Sequence, residues 1–330
     1  FPQSNLYPIN AYMAEHWLYL PSIGFFLLVS NLVVNLYKKE KSRILGLAVI
    51  VALVLFYSVL TVNQNRYWQK AVNFYEQTLK YSPSPRLYNN LAMLYDKQGD
   101  YSRALELYQM AIELNPAKEE TYNNMGLSFY KLGDIDKAVS FYQKAIEINP
   151  GYVSAYNNLA NSYADIGRDN EAITLFEEAI KINPRHATAY YNLGVFYYHR
   201  SRYPEAANLY REAIAIDPGY IEAYSNLGAA LNAMGKHSQS AAVYVKAIGI
   251  NPKDPDLYYN LAGVYFEIKD YDLSIKNYQK ALELNPLDAE AYSNLASVYL
   301  AKGQYPQALE YYRRAEEMGF VNPALRDKLK

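Results

Sequence analysis

Side chains that could carry out covalent or metal chemistry are few and scattered in this chain. The 330 residues include no Cys, which excludes a thiol nucleophile, a disulfide framework and a thiolate metal site. No Gly-rich phosphate loop, H-E-x-x-H or G-x-S-x-G sequence is present. The four His residues are far apart: His16, His186, His199 and His237. We therefore expect no catalytic residue, no metal site and no cofactor in this chain.

The residues with a regular spacing are asparagines. One Asn recurs every 34 residues, as Asn90, Asn124, Asn158, Asn192, Asn226, Asn260 and Asn294. A carboxamide has both a donor and an acceptor, so it can pair with the amides of an extended polypeptide whatever side chains that polypeptide carries. We predict that this asparagine row binds a protein or peptide ligand. The alternative is that these side chains bond neighbouring helices or water. The 32 basic and 33 acidic residues balance, so nucleic acid is not expected as a partner.

The asparagine spacing belongs to a repeat that fills residues 85–322. Within each unit, position 4 is Tyr, position 8 is Ala or Gly, position 20 is Ala or Ser, position 24 is aromatic and position 27 is Ala. Small residues at positions 8, 20 and 27 allow two antiparallel helices to approach closely, and large residues at positions 4, 11 and 24 fill the space between them. Pro occupies position 32 in the first six units and ends the second helix.

These positions carry the tetratricopeptide repeat (TPR) signature, and the chain resembles that family over residues 85–322. The resemblance implies an all-α fold in which paired helices form a right-handed superhelix. The seven repeats are then 85–118, 119–152, 153–186, 187–220, 221–254, 255–288 and 289–322. Residues 64–84 are predicted to form a connecting half-repeat, and residues 323–330 a C-terminal cap.

The TPR resemblance also implies that the first helix of each repeat lines a concave surface, chiefly through positions 2, 5, 6, 9, 12 and 13. The asparagine row is position 6, and it resembles the asparagine ladder of O-GlcNAc transferase repeats, which hold extended protein substrates. Aromatic residues at other concave positions either contact sugar or peptide, or pack on neighbouring helices; they are Tyr130, Tyr191, Tyr198, Tyr259 and Phe266.

Two apolar segments precede the repeats. Residues 17–37 and 44–63 contain no charged residue and each has about the 20 residues needed to cross a bilayer, so they predict a hairpin of two transmembrane helices. The alternative is a pair of buried globular helices. The linker 38–43 carries four basic residues, which places it in the cytoplasm by the positive-inside rule. Residues 1–16 and the TPR domain are then non-cytoplasmic, in the periplasm of a bacterium or the ER lumen of a eukaryote, and the bilayer contacts residues 17–63.

A second resemblance joins the apolar segments to the repeats. The segment AEHWLYLPSIGFFLL, a basic loop, a second apolar segment and NRYWQKAVNFYEQTLKYSP occur in this order before the repeats. The whole chain resembles the C-terminal part of the transmembrane-and-TPR-containing proteins, which are protein O-mannosyltransferase-like members of the GT-C membrane glycosyltransferases, and their bacterial relatives. The resemblance implies sugar transfer from a polyprenyl-phosphate carrier by acidic residues of an earlier loop, which have no counterpart here.

Two functional hypotheses follow. The first is a membrane-anchored TPR module that binds acceptor polypeptide on its concave face, as part of a glycosyltransferase whose catalytic half is absent and whose further transmembrane helices pack on residues 17–63. In this hypothesis the sequence begins in the middle of a larger protein. The second is a non-enzymatic membrane-tethered TPR scaffold for assembling an envelope or secretion complex.

Overall fold

The computed structural model describes residues 44, 48, 51, 52 and 71–329. The chain divides into two compact units, residues 1–94 and 95–330. Helix α1 (Ala71–Tyr81) lies in the first unit, and α2 (Pro85–Lys97) begins there. Within the first unit, Tyr75 is buried and its hydroxyl accepts a hydrogen bond from Asn90 Nδ2 at 3.5 Å.

The second unit is an all-α solenoid of helix pairs. The first helices of its complete repeats are α4 (Glu119–Lys131), α6 (Val153–Asp165), α8 (Ala187–His199), α10 (Ile221–Ala233), α12 (Pro255–Glu267) and α14 (Ala289–Ala301). The second helices are α3 (Tyr101–Leu114), α5 (Ile135–Ile148), α7 (Asp169–Ile182), α9 (Tyr203–Ile216), α11 (His237–Ile250), α13 (Tyr271–Leu284) and α15 (Tyr305–Glu317). Each helix contacts the next one in the chain, and the first helices of successive repeats also contact each other from α4 to α12.

A left-handed residue joins the two helices of each repeat. This place is Gly133 in repeat 2, with φ 82°, and Gly167 in repeat 3, with φ 76°. Glycine adopts this conformation without the steric cost that a Cβ imposes. Ser201 (φ 57°) and Lys269 (φ 63°) hold the same place in repeats 4 and 6, so those two turns carry a local backbone strain.

The Asn-Pro pairs end the second helices in the way their chemistry predicts. Asn149 follows α5, and its backbone N–H donates to the carbonyl of Ala145. Its side-chain Oδ1 then accepts from the backbone N–H of Gly151 at 2.9 Å, which closes an Asx turn around the intervening proline. Asn183 makes the equivalent bond with the N–H of Arg185 at 3.1 Å. These turns return the chain to the start of the next repeat.

The core lies between the helices of each pair and continues from one repeat to the next. The large residues at position 24, such as Tyr142, Phe176 and Tyr210, are at most 1% exposed. They fit because position 8 is small: a Cβ added to Gly194 would lie 2.7 Å from Cε1 of Tyr210. At the C-terminal end, α16 (Pro323–Leu329) buries Leu325 beside Ala296 and Tyr312.

The prediction of a transmembrane hairpin in the fold class requires correction. The predicted spans 17–37 and 44–63 lie outside the described residues, apart from residues 44, 48, 51 and 52. In the described part of the chain, no helix is long and apolar enough to cross a membrane. The longest helices of the repeats have 14 residues, about 21 Å at 1.5 Å per residue, whereas the hydrocarbon core is about 30 Å thick.

The fold class is therefore corrected to an all-α TPR solenoid of 16 described helices, without the hairpin. The predicted location, an integral membrane protein with its TPR domain on the non-cytoplasmic side, rested on that hairpin, and it is corrected for the same reason. The predicted segments 1–16 and 38–43 also lie outside the described residues.

Candidate peptide-binding groove

The first helices of repeats 2–7 place one row of side chains along a common surface, which we call the groove. The predicted positions are 2, 5, 6, 9, 12 and 13 of each repeat, but position 5 is buried in three of them, at Asn123, Asn157 and Ser293. Hydrogen bonds between groove residues join neighbouring repeats and show that they lie side by side. The position-6 asparagines are all half-buried: Asn124, Asn158, Asn192, Asn226, Asn260 and Asn294.

Three of these asparagines donate to position 5 of the preceding repeat. Asn158 Nδ2 donates to Asn123 Oδ1 at 2.9 Å, and Asn226 Nδ2 donates to the hydroxyl of Tyr191 at 3.1 Å. Asn294 Nδ2 donates to the hydroxyl of Tyr259 at 2.7 Å. Each pair is 35 residues apart. The amide nitrogens of these three side chains therefore hold neighbouring helices together, and their Oδ1 atoms remain as acceptors.

Asn192 and Asn260 differ from the others. Their side chains make no hydrogen bond to any described residue, because position 5 of the preceding repeat does not meet them. Before Asn260 that position is Ser225, whose side chain is short. Before Asn192 it is Asn157, whose Nδ2 donates to the carbonyl of Val153 on its own helix at 3.2 Å. Both the donor and the acceptor of Asn192 and Asn260 are thus available.

Asn157 itself leaves an acceptor unsatisfied. Its side chain is only 3% exposed, and its Oδ1 is buried without a hydrogen-bond partner among the described residues. An unpaired buried polar atom costs about 1–3 kcal/mol. Position 5 of repeat 3 therefore holds a buried acceptor that carries this cost.

The predicted aromatic residues are half-buried and mostly held by neighbouring helices. Tyr191 lies 4.9 Å from the ring of Tyr220, and Tyr198 lies 5.3 Å from the ring of Tyr203, between centroids. Phe266 packs at 6.0 Å from Tyr271. These contacts favour the packing interpretation for the ring faces involved. Whether the exposed parts of these rings touch a ligand stays a prediction.

Two tyrosines also bond a carboxylate of the neighbouring repeat. Tyr130 Oη donates to Asp165 Oδ2 at 2.5 Å, and this bond, followed by burial, raises the pKa of Tyr130 to about 12. Tyr259 Oη donates to Glu290 Oε1 at 2.7 Å, and burial followed by this bond raises the pKa of Tyr259. The hydroxyl protons are committed to the carboxylates, so at these points the groove presents oxygen acceptors.

An open cleft of about 410 Å³ lies in the groove across repeats 2, 3 and 4. Six of its lining residues occupy the predicted positions 9, 12 and 13, and Phe196 and Arg200 are at positions 10 and 14. The lining is Tyr130, Asn161, Ala164, Asp165, Val195, Phe196, His199 and Arg200. These residues come from positions 9 to 14 of three successive first helices. Only the stacking of the helices makes them neighbours.

One carboxylate at the groove positions is influenced by two acidic neighbours. Burial, with the nearby carboxylates of Asp254 and Asp288, raises the pKa of Asp256. In residues 71–329, and at residues 44, 48, 51 and 52, no three His, Asp or Glu side chains converge to hold a metal ion. The chemistry that this surface offers is hydrogen bonding and charge complementarity.

Comparison with family models supports the repeat assignment. Models described as tetratricopeptide repeat match residues 85–118, 119–152, 157–221, 209–241 and 255–319, and a TPR repeat model matches residues 228–269. Among solved structures, the C-terminal part of a TPR repeat-containing protein from Cytophaga hutchinsonii has a TM-score of 0.57 at 18% identity, over 73% of this chain and 99% of that chain. PilF of Pseudomonas aeruginosa has a TM-score of 0.53 at 22% identity, over 61% of this chain and 91% of that chain. At these identities the likeness shows the fold alone.

Curated relatives include protein O-mannosyl-transferases. Tmtc2 of Drosophila melanogaster is 32% identical over 117 residues, which are 35% of this chain and 12% of that protein. TMTC2 of Mus musculus is 33% identical over 115 residues, 34% of this chain and 14% of that protein. The chain therefore aligns with only a small fraction of these relatives' length.

The matched models together account for more than half of the chain. The chain belongs to the tetratricopeptide repeat family, a family of protein–protein interaction modules.

Proposed function

We propose that the groove binds an extended segment of polypeptide through its asparagine row. The observation that carries this proposal is the state of Asn192 and Asn260, whose half-buried amides have no partner among the described residues. A half-buried donor and acceptor are well suited to the N–H and C=O of an extended backbone. Asn158, Asn226 and Asn294 add acceptor oxygens in the same row, since only their Nδ2 atoms are engaged.

We further propose that this module is the acceptor-binding part of a GT-C-type, O-mannosyltransferase-like glycosyltransferase, whose catalytic residues lie outside this chain. The support is the similarity to proteins named protein O-mannosyl-transferase, at 32–33% identity over about a third of the chain. Recognition of backbone amides would let one groove present many acceptor sequences, since backbone amides are common to all polypeptides.

Binding is tested on the full chain with unstructured peptides selected from a random display library. Replacing Asn192 with Ala is expected to lower the affinity of the selected peptides about five- to tenfold, because one hydrogen bond to a neutral group contributes about 1 kcal/mol or slightly more. Fluorescence anisotropy measures the affinity. Thermal unfolding of Asn192→Ala should match that of the parent chain, because the Asn192 side chain bonds no described residue.

The matched control is Asn208→Ala in α9 of the same repeat. Asn208 is exposed, outside the groove, and its Oδ1 accepts only from Arg211 at 2.9 Å. This variant should bind as the parent chain does. If the library yields no binder, or if both variants bind alike, the asparagine row is not the binding surface.

The acceptor role needs a separate measurement. A selected peptide is fused to a reporter and expressed in cells that carry the gene at its native locus, and mass spectrometry measures hexose on the reporter. We expect hexose addition that decreases when Asn192→Ala is introduced at that locus. Binding without hexose addition would instead indicate the non-enzymatic scaffold.

A further inference from the structure

The cleft in repeats 2–4 has an apolar floor. Ala164 lies on α6 and Val195 and Phe196 lie on α8, and all three contribute to the lining. Phe196 is 6% exposed, and the guanidinium of Arg200 lies over its ring, 5.1 Å from the centroid, so the free apolar surface belongs mainly to Ala164 and Val195. A volume of about 410 Å³ is large enough for one long side chain of a bound polypeptide. The floor is suited to the methylene stem of such a side chain.

The polar rim of the cleft has one carboxylate without a cationic partner. Arg200 also lines the cleft, but its donors are engaged: its Nε and Nη2 donate to the two oxygens of Asp169 at 2.9 Å and 2.7 Å, and Nη2 also donates to the carbonyl of Ala164 at 3.0 Å. Asp165 acts on Arg200 only through space, as a minor cause of its raised pKa after the bond to Asp169. No ion pair within 4.0 Å involves Asp165 among the described residues.

The Asp165 carboxylate is also held in place. Tyr130 Oη donates to its Oδ2 at 2.5 Å, which leaves Oδ1 as an acceptor at the cleft. Asn161, one helical turn before Asp165 on α6, adds a carboxamide to the same wall. Lys and Arg side chains have donors only and carry a positive charge, so they complement a wall of this kind.

The charged residues at the groove positions of repeats 3–7 have the same sign, whereas repeat 2 carries both Glu120 and Lys131. Positions 2, 5, 6, 9, 12 and 13 of repeats 3–7 contain no Lys or Arg, although the chain has 32 of these residues. The same positions contain the five carboxylates of Asp165, Glu222, Asp256, Glu267 and Glu290. A basic polypeptide is therefore the ligand that this surface complements electrostatically.

From the cleft and this charge distribution we infer that the groove selects a basic extended polypeptide and seats one Lys or Arg side chain in the cleft, with its stem on Ala164 and Val195 and its charged head against Asp165. This inference rests on the proposed polypeptide binding and adds the identity of the recognised side chain.

The test is a mutant cycle between the full chain and the peptides selected from the random library. We expect these peptides to share a Lys or Arg at one position. Replacing that residue with norleucine, which keeps the apolar stem, should lower the affinity for the parent chain about tenfold, since a hydrogen bond to a charged group is worth about 1.5 kcal/mol or more. The same replacement should change the affinity for Asp165→Asn less than twofold.

The matched control is Asp136→Asn, which removes the same charge from an exposed position on α5, outside the groove. It should retain the full tenfold preference for the basic peptide. Tyr130→Phe removes the hydroxyl that holds Asp165 and should reduce the preference by a smaller factor. Thermal unfolding of each variant separates loss of binding from loss of fold.

The two proposals fail in different ways. If peptides bind and Asn192→Ala weakens them, but they share no basic residue or Asp165→Asn keeps the tenfold preference, polypeptide binding stands and the Lys or Arg site is rejected. A shared Asp or Glu in the selected peptides would also reject it. If no peptide binds, the proposed function itself fails.

Discussion

The core face and the groove face of the first helices differ in how regularly their contacts repeat. On the core face, position 8 is Gly or Ala in every repeat, and the aromatic residue at position 24 closes over it. On the groove face, position 6 is Asn in every repeat, but its bonds differ. Asn226 donates to Tyr191, whereas Asn260 has no partner among the described residues. The small residue at position 8 therefore has the same role in every repeat, whereas the asparagine at position 6 has two roles: some asparagines bond the preceding repeat and others have no partner among the described residues.

The difference arises from what each face contacts. The contact between positions 8 and 24 joins two residues of the same repeat, so both members of the contact recur together. A groove asparagine meets position 5 of the preceding repeat, and that position varies among Asn, Tyr and Ser. The long Tyr191 and Tyr259 side chains reach the following asparagine, and the short Ser225 does not.

The largest effect is expected from breaking the core face. In Gly194→Ala the new Cβ would lie 2.7 Å from Cε1 of Tyr210, a fully buried ring. We expect the free energy of unfolding to fall by about 1–3 kcal/mol, the usual cost of overpacking. Urea denaturation followed by circular dichroism measures it.

A glycine on the groove face provides the matched control. In Gly263→Ala the nearest atom to the new Cβ is Tyr278 Oη at 3.7 Å, an ordinary contact. This variant should gain about 0.5–1 kcal/mol, because Ala favours a helix more than Gly does. Equal losses in the two variants would show that the faces do not differ in packing.

A smaller effect should separate the two kinds of groove asparagine. Asn226→Ala removes the donor to the Tyr191 hydroxyl, and we expect the free energy of unfolding to fall by about 1 kcal/mol. Asn260→Ala removes no bond to a described residue and should stay within about 0.5 kcal/mol of the parent chain. Equal destabilisation of both variants would contradict the assignment of two roles.

The smallest effect concerns the acidic groups of the groove. Burial and the carboxylates of Asp254 and Asp288 raise the pKa of Asp256 above its ordinary value of 3.8. The folded state therefore binds a proton more tightly than the unfolded state, and stability falls as the pH rises from that ordinary value through the raised one. The resulting penalty is present at neutral pH.

Asp256→Asn should remove that penalty. The gain at neutral pH should be a few tenths of a kcal/mol, since Asp256 is an exposed group and water screens its interactions. The advantage of the variant should disappear in thermal melts below the ordinary pKa of the carboxyl, 3.8. A gain that is the same at all pH values would show that repulsion between the carboxylates is not its cause.

Sequence periodicity predicted the solenoid but not the whole fold. The small residues at positions 8 and 20 and the prolines at position 32 recur every 34 residues, so the helix pairs follow from local size and backbone constraints. The prediction of a transmembrane hairpin was wrong for the described helices. It rested on the length and hydropathy of two apolar segments, and these properties alone do not determine which helices the chain forms. The sequence predicted the asparagine row, but it did not predict which of these asparagines form hydrogen bonds with the preceding repeat.

By itself, the sequence determined the family, the repeat length, the core residues and the place of the asparagine row, because each follows from a pattern of residue types that recurs every 34 positions. Only the tertiary structure decided which asparagines are available, which carboxylate lacks a cationic partner and where the cleft lies. Those properties depend on residues such as Asn226 and Tyr191, which are 35 positions apart and meet only when the repeats stack.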